Sequence, residues 1–199
     1  MLKITIILIF IFFSNFIYAN NTLLDGNFFY TIPDASSTDD FHTGKIVTLN
    51  YNYYYLPWLA LTSGLFISEE IFDEVKRDIV GTYQASIETQ GFTLGLRPEY
   101  KFSKRNKAYM RAGFLLYKTK LKVAEYFEPG LTTGESRQST DGNGYFLTLG
   151  WAHSFSEKVS FQLELNTQKQ LALFSDMTNA ANVFDLDYTG FSIGIGYAF

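Results

Sequence analysis

This chain of 199 residues contains only two histidines and no cysteine, which limits the catalytic and metal-binding chemistry that its side chains can carry out. His42 stands alone in a polar stretch, whereas His153 is followed directly by Ser154. Adjacent side chains of an extended strand point to opposite faces, so the imidazole of His153 cannot contact the hydroxyl of Ser154. We therefore predict no serine–histidine catalysis, no thiol chemistry, no metal site and no cofactor.

A second group of candidates consists of charged residues that stand within otherwise apolar segments: Arg97, Glu99, Lys101, Arg111 and Glu164. Side-chain chemistry alone leaves three interpretations open. The two glutamates could form a carboxylate pair for general acid–base catalysis. The charges could instead line a path for ions, or they could neutralise one another in a structural network. Which of the three interpretations holds depends on where the secondary-structure elements place these side chains.

The composition favours a sheet protein with one face in lipid. Aromatic residues make up 18% of the chain and hydrophobic residues 47%, while the mean hydropathy is −0.01. The 20 acidic residues outnumber the 16 basic ones, so no overall positive field favours a nucleic acid partner. The length supports one folded domain rather than two.

Residues 1–19 have the organisation of a secretory signal peptide. Lys3 precedes an apolar run over residues 4–13, and a small residue, Ala19, comes directly before a polar pair. An uncleaved membrane anchor is the alternative, but a spanning helix needs about 20 apolar residues, roughly twice the length of this run. We predict that residues 1–19 are removed on export and that residues 20–199 form the mature domain.

Most of the remaining chain alternates between apolar residues and polar or small ones, which predicts strands with one apolar face. The last segment is the clearest, because Phe191, Ile193 and Ile195 share one parity while Ser192 and Gly194 share the other. Eight segments follow such a pattern, the first of them weakly: residues 24–32, 45–55, 58–67, 92–102, 108–117, 145–155, 159–168 and 188–199.

The connections between these segments alternate in length. Short turns join the second segment to the third, the fourth to the fifth and the sixth to the seventh, whereas residues 33–44, 68–91, 123–144 and 169–187 form long loops. All turns therefore lie at one end of the sheet and all loops at the other. This predicts an all-β fold, an eight-stranded antiparallel up-and-down transmembrane β-barrel, closed because no strand edge can remain unpaired in lipid.

A soluble lipocalin-like barrel, with its apolar face inside, satisfies the same alternation and remains an alternative. Aromatic residues beside the predicted periplasmic turns favour the membrane barrel, since aromatic girdles mark the interfaces of such barrels. These residues are Tyr53, Tyr54, Tyr55, Trp58, Tyr100, Phe102 and Phe155. His153 lies close to them, which favours an interfacial histidine over a catalytic base.

The alternating strands and the ending Gly194-Ile195-Gly196-Tyr197-Ala198-Phe199 resemble the small bacterial outer-membrane barrels of the OmpA-like transmembrane domain, OmpX and Ail type. The resemblance implies a place in the outer membrane of a Gram-negative cell. It also implies that Tyr197 and Phe199 form an assembly signal, which the barrel-assembly machinery recognises during biogenesis. Some barrels of this size modify lipid A, but the histidine-any-serine spacing of the deacylase PagL is missing here.

An eight-stranded barrel encloses an interior that side chains can fill. The charged residues expected to face this lumen are Arg97, Glu99, Lys101, Arg111 and Glu164, together with Gln162 and Asn166. Buried charges must be paired to offset their desolvation. A structural ion-pair network is therefore favoured over a gated ion path or a catalytic carboxylate pair.

The long loops are the expected functional surface. In the second loop, residues 68–80 fit either a short helix on the barrel rim or continued strands, and extended strands are favoured. Residues 128–143 of the third loop are rich in Gly, Ser and Thr and are expected to be mobile. The fourth loop is unusually apolar and is expected to pack on its own barrel.

We therefore expect a non-enzymatic outer-membrane barrel with a side-chain-filled lumen and a structural or surface-interaction role. Its expected partners are outer-membrane lipid and lipopolysaccharide, an extracellular partner contacted by the loops, and the barrel-assembly machinery during biogenesis. A narrow channel for small or apolar solutes and a lipid A-modifying enzyme are the alternatives.

Overall fold

The computed structural model describes residues 22–35, 44–69, 71–72, 76–77, 81–127, 133–173 and 184–199, whose regular elements are all strands. The eight long strands are β1 (Thr22–Ala35), β2 (Gly44–Leu56), β3 (Leu59–Ser68), β6 (Gly81–Lys101), β7 (Asn106–Phe127), β8 (Thr133–Ser154), β9 (Val159–Leu173) and β10 (Phe184–Ala198). Two short strands, β4 (Ile71–Phe72) and β5 (Lys76–Arg77), pair with β6. The predicted signal peptide lies outside the described residues.

The eight long strands form a closed antiparallel ring. β1 and β10 pair along their length, from Leu23 opposite Ala198 to Ala35 opposite Leu186. β3 pairs directly with β6. Apart from this pair and the closing pair of β1 with β10, each two neighbouring strands of the ring are also consecutive in sequence. The predicted up-and-down barrel is confirmed, with the three short turns at one end. No helix in the described part of the chain is long and apolar enough to cross a membrane.

On each long strand, the side chains of one face point into the barrel and those of the other face point to its outer surface. On β7, Met110, Phe114 and Leu116 are exposed, Phe114 to 76%, whereas Arg111 and Leu115 are buried. The outward residues of β9 and β10 follow the same pattern and include Leu163, Leu165, Phe191, Ile193 and Ile195. Such a band of outward apolar side chains is the lipid-contacting surface of a membrane barrel. A lipocalin-like barrel would bury this face instead.

Exposed aromatic side chains surround the end of the barrel that carries the short turns: Tyr55, Trp58, Tyr100, Phe102 and Phe155. Short turns mark the periplasmic end of such barrels, so these residues form the expected periplasmic girdle. One assignment is corrected. Tyr54 points into the barrel, because it has the parity of the buried Asn52 rather than that of Tyr55.

Small residues on the inner face of β10 make room for large polar side chains in the interior. A Cβ atom at Gly194 would overlap the side chain of Asn27, and one at Gly196 would crowd Gln162 and Ser160. The alternation of small with apolar residues in the last strand is therefore a packing requirement of a narrow barrel.

β6, β7 and β8 extend far beyond the other strands at the extracellular end. They contain 21, 22 and 22 residues, about twice the ~10 residues that cross a bilayer. β3 stops pairing with β6 at Gln90, and β9 stops pairing with β8 at Gly144. Residues 81–89, 118–127 and 133–143 therefore project beyond the other long strands as one sheet, which we call the extracellular sheet, and β4 and β5 pair with its β6 edge.

The structure of this end of the barrel agrees with one expectation about the loops and corrects another. In the described part of residues 68–80, β4 and β5 are strands, as the extended alternative predicts. The prediction of a loop over residues 123–144 is wrong up to Phe127, where β7 ends, and from Thr133 onward, where β8 begins, and residues 81–91 of the predicted second loop belong to β6. Residues 135–139 of β8 are exposed on both faces, so this stretch lacks the apolar alternation that identifies a strand.

Candidate functional site

The periplasmic half of the interior is built around Asp25, whose exposure is 0%. Its carboxylate pairs with Arg97 Nη1 at 2.7 Å and with Arg111 Nη1 at 3.3 Å. It also accepts hydrogen bonds of 2.7–2.9 Å from three side-chain amides, those of Asn27, Asn50 and Asn52. Side chains from β1, β2, β6 and β7 thus converge on one buried carboxylate.

Arg97 links this centre to a second carboxylate nearer the periplasm. Its Nε donates to Glu99 Oε1 at 2.8 Å, and its guanidinium carbon lies 3.8 Å from the centre of the Tyr109 ring. Glu99 also accepts hydrogen bonds from Lys107 Nζ at 2.9 Å and from the Tyr54 hydroxyl at 2.5 Å. The guanidinium is therefore held by two carboxylates and an aromatic face.

Arg111 makes the corresponding link to Glu164 on β9. Glu164 accepts hydrogen bonds from Arg111 Nη2, from the Tyr109 hydroxyl at 2.6 Å and from Ser192 Oγ at 2.8 Å. Ser192 belongs to β10, the strand that closes the barrel against β1. The polar contacts therefore cross the lumen and connect strands from opposite sides of the ring.

Six charged residues form one connected set, which we call the lumen ion group: Asp25, Arg97, Glu99, Lys107, Arg111 and Glu164. Its three cations balance its three carboxylates. Burying an unpaired charge costs several kcal/mol, so this balance is what allows the group to fill a narrow interior. Each glutamate accepts hydrogen bonds from at least one cation and one hydroxyl. These hydrogen bonds connect different strands and leave neither carboxylate available to a substrate.

The extracellular half of the interior contains a large apolar cluster beside buried polar side chains such as Thr89, Thr119 and Gln170, whereas the sequence predicts a lumen filled by charged and amide side chains. Ten buried side chains form one cluster, which we call the apolar plug: Phe29, Ile46, Phe66, Ile71, Ile87, Leu115, Tyr117, Leu173, Leu186 and Tyr188. Phe146 of β8 packs against it, so every long strand contributes a side chain. Burial of Leu173 agrees with the expectation that apolar residues of the fourth loop pack on the barrel.

The structure brings together four of the five charged residues that the sequence places in the lumen: Arg97, Glu99, Arg111 and Glu164. Lys101 is exposed, so its assignment to the lumen is wrong. It shares the inward parity of Glu99 but lies at the last residue of β6. At that position the barrel opens into water, which solvates the ammonium group. Gln162 and Asn166 do face inward, where Asn166 Nδ2 donates to Ser192.

Sequence reasoning missed Asp25, Lys107 and Tyr109 as members of this site. A signal for Asp25 exists, because Asp25 and Asn27 alternate with Phe28 and its neighbours in the weakly patterned first strand. Lys107 is the second residue of β7, directly after a turn, and has no apolar alternation before it. Tyr109 is aromatic and gives no sign that its hydroxyl serves a buried carboxylate.

His153 lies at the periplasmic girdle rather than beside a nucleophile. Its Nδ1 is 2.9 Å from Asn106 Oδ1, and its ring lies between those of Trp151 and Phe155, with centroids at 5.9 and 5.4 Å. His42 lies outside the described residues. Among the residues that are described, no three His, Cys, Asp or Glu side chains are grouped to hold a metal ion.

The two residues of the expected assembly signal lie where the barrel closes. The rings of Tyr197 and Phe199 meet edge to face at 5.0 Å, and the Phe199 amide donates to the carbonyl of Thr22 at 3.0 Å. Recognition of this end by the assembly machinery stays a prediction.

Solved structures with a similar fold include a protein of the outer membrane. The chain is similar to Neisserial surface protein A (10% identity, TM-score 0.52, 91% of this chain and 98% of that one). It is also similar to OprG from Pseudomonas aeruginosa (13% identity, TM-score 0.52, 91% of this chain and 96% of that one). A third similar structure is the attachment invasion locus protein Ail of Yersinia pestis (10% identity, TM-score 0.50, 90% of this chain and 97% of that one). At these identities the likeness is one of fold, and no curated protein matches the sequence. The family described as outer membrane protein beta-barrel domain matches residues 18–199, and the chain therefore belongs to that family of the cell outer membrane.

Proposed function

We propose that this protein is a non-enzymatic, non-conducting barrel that acts through its extracellular sheet as a surface-interaction protein. The observation that carries the proposal is the closed interior, in which the lumen ion group and the apolar plug lie one above the other. The paired glutamates and the isolated His153 offer no constellation for catalysis within the described residues. The part of the chain that projects into the medium is then the part available for interaction.

The boundary between the two layers of the interior leaves little free space. A cavity of about 30 Å³ remains there, bounded among others by Phe66, Arg111 and Phe146. That volume is small beside the roughly 300–1,000 Å³ of sites that take a small ligand. A hydrated ion crossing the barrel would have to displace the apolar plug and then separate the ion pairs below it.

Conductance separates this proposal from the channel alternative. The purified protein in planar bilayers is expected to show no stepwise single-channel currents, because the plug and the ion group close the lumen. The control is Arg97→Ala, which removes a side chain from the ion group and leaves the apolar plug in place, so it is expected to remain silent as well. Regular current steps whose size changes in Arg97→Ala or Glu164→Ala would contradict the closed lumen.

The extracellular sheet carries a row of cations on its outer face, which we call the lysine ladder: Lys118, Lys120 and Lys122. The ladder continues the outward parity of the lipid-facing Phe114 and Leu116 on β7. Its side chains are 48%, 53% and 39% exposed. Their carboxylate neighbours lie at 3.4–3.8 Å and are themselves exposed, so these ion pairs are weak and another anion can replace them.

The first cation of the ladder lies at the depth of the headgroup region of the outer leaflet, and the other two lie beyond it. Two residues of a tilted strand rise about 5 Å along the membrane normal, so Lys118 lies about one such step beyond the apolar Leu116. The polar zone on each side of a bilayer is roughly 5–8 Å thick. We propose that the ladder binds phosphate groups of outer-leaflet lipid, including lipopolysaccharide.

Replacing the ladder tests this role. The triple variant Lys118→Gln, Lys120→Gln, Lys122→Gln is expected to bind lipopolysaccharide about tenfold more weakly, since each cation near an anionic surface contributes on the order of 1 kcal/mol before its competing ion pair is deducted. Binding is measured by thermophoresis of the purified barrel in nonionic detergent. The control is Lys45→Gln, Lys169→Gln, which removes two outward cations on other strands and should bind nearly as tightly as the unaltered protein does. Equal weakening in both variants would show a general charge effect and reject the ladder.

A further inference from the structure

The periplasmic mouth of the barrel is a concave cavity of about 770 Å³, which we call the periplasmic vestibule. Its floor is formed by Tyr54, Glu99 and Lys107, the periplasmic edge of the lumen ion group. The volume falls within the range of about 300–1,000 Å³ that is usual for small-ligand sites. Neither the closed lumen nor the extracellular sheet gives this cavity a role.

The vestibule concentrates positive charge in a chain that is acidic as a whole. Five of its lining residues are cations, namely Lys101, Lys104, Arg105, Lys107 and Lys158, out of 16 basic residues in the sequence. Only two lining side chains are carboxylates, Glu99 and Glu157.

Most of these cations have no carboxylate partner among the described residues. Glu99 is already occupied, because it pairs with Arg97 at 2.8 Å and with Lys107 at 2.9 Å. In the described part of the chain, the salt bridges that have formed do not include Lys101 or the three cations of the turns. Like charges that share one concave surface repel each other, and an anion bound between them relieves that repulsion.

The cations of the turns stand on backbone that is held in place. Ser103 Oγ accepts hydrogen bonds from the amides of Arg105 and Asn106 at 3.3 and 3.0 Å. Ser156 Oγ repeats this arrangement in the next turn, accepting from the amides of Lys158 and Val159 at 3.3 and 3.1 Å. The two turns thus share a serine followed within two residues by a cation, and both are tied to neighbouring strands. Positions held in this way lose little freedom when a ligand binds.

We propose that the periplasmic vestibule binds a multivalent anion presented from the periplasm, a ligand with several carboxylate or phosphate groups. Lysine side chains dominate the site, and a lysine binds either group as a point charge without selecting between them. The apolar walls, which include Leu56, Phe155 and Phe199, also accommodate uncharged parts of such a ligand. An acidic peptide and a polyphosphate are the two sources of this shared chemistry.

Calorimetric titration of the whole barrel in nonionic detergent tests the proposal with two probes, a tetraglutamate peptide and inorganic tripolyphosphate. At least one probe is expected to bind at low ionic strength and to lose affinity as salt is added. Tetraglutamine, which has the same length without side-chain charge, is the probe control. Binding of the peptide alone identifies carboxylates as the source, and binding of tripolyphosphate alone identifies phosphates.

Two variants locate the site. Lys104→Gln, Arg105→Gln, Lys158→Gln is expected to weaken binding about tenfold or more, because it removes three of the cations that would form charge-assisted hydrogen bonds. The control variant Lys45→Gln, Arg137→Gln, Lys169→Gln removes three cations at the opposite end, outside both proposed anion sites, and is expected to bind as the unaltered protein does. Both are first run on a gel with and without boiling, so that only folded barrels are compared. If neither probe binds the folded protein, or if the turn variant binds as tightly as the control variant, the vestibule is not an anion site.

Discussion

Asp25→Asn is expected to lower the free energy of unfolding by about 3–5 kcal/mol, because it leaves two buried guanidinium groups with one carboxylate fewer between them. The side chain of Asp25 is fully buried and contacts both Arg97 and Arg111. Asparagine keeps the volume of the residue and some of its hydrogen bonds, so the expected loss isolates the charge. The lumen ion group would change from neutral to a net charge of about +1 in a region that water solvates poorly.

Urea unfolding of the barrel in lipid vesicles, followed by tryptophan fluorescence, measures this loss. Asp141→Asn is the matched control, because it makes the same chemical change at a side chain that is 75% exposed and 3.8 Å from Lys118. Its effect should be close to zero. The double variant Asp25→Asn, Arg97→Met restores neutrality and should recover part of the lost stability. If Asp25→Asn were as stable as the control, the lumen ion group would not hold the barrel together.

Leu163→Arg is expected to destabilise the inserted barrel by about 2–4 kcal/mol, since it places a cation on the lipid face near the bilayer midplane. Leu163 lies on β9 between the outward residues Phe161 and Leu165, and its side chain is exposed on the outer surface. The hydrocarbon around this position offers no counter-charge and no hydrogen-bond partner. The loss would therefore report the depth of the residue in the membrane rather than its packing within the protein.

Thr167→Arg provides the comparison on the same strand and face. Thr167 lies four residues closer to the extracellular end, where an arginine reaches the headgroups and costs only about 0–1 kcal/mol. The same unfolding measurement applies to both variants. Equal losses at the two positions would mean that the cost of an outward arginine on β9 does not depend on its depth in the membrane. A Leu163→Arg variant as stable as the unaltered protein would reverse the assignment of inner and outer faces.

The sequence alone determined the architecture, because the alternation that lipid imposes on a strand is a local property. Parity places Arg111 inward and Phe114 outward without reference to any other strand. The alternating lengths of the connections then fix the antiparallel order, and the need to satisfy every backbone group in lipid requires closure. Four of the six charged members of the lumen ion group follow from the same reasoning.

Only the tertiary structure decided how the interior is filled and where the barrel ends. Asp25 became the centre of the lumen ion group because closure brings β1 beside β10 and opposite β6, a proximity that no spacing in the chain encodes. Lys107 joins the lumen ion group whereas Lys101 is exposed, although the two residues lie opposite each other in the register of β6 and β7. Parity places both side chains inward and carries no information about how far each is shielded from water at the mouth of the barrel. The apolar plug and the extracellular sheet were not predicted from the sequence, and the physical reason is the same for both. Alternation is visible only where one face of a strand meets lipid and the other a polar interior, and it disappears where both faces are apolar or both are in water.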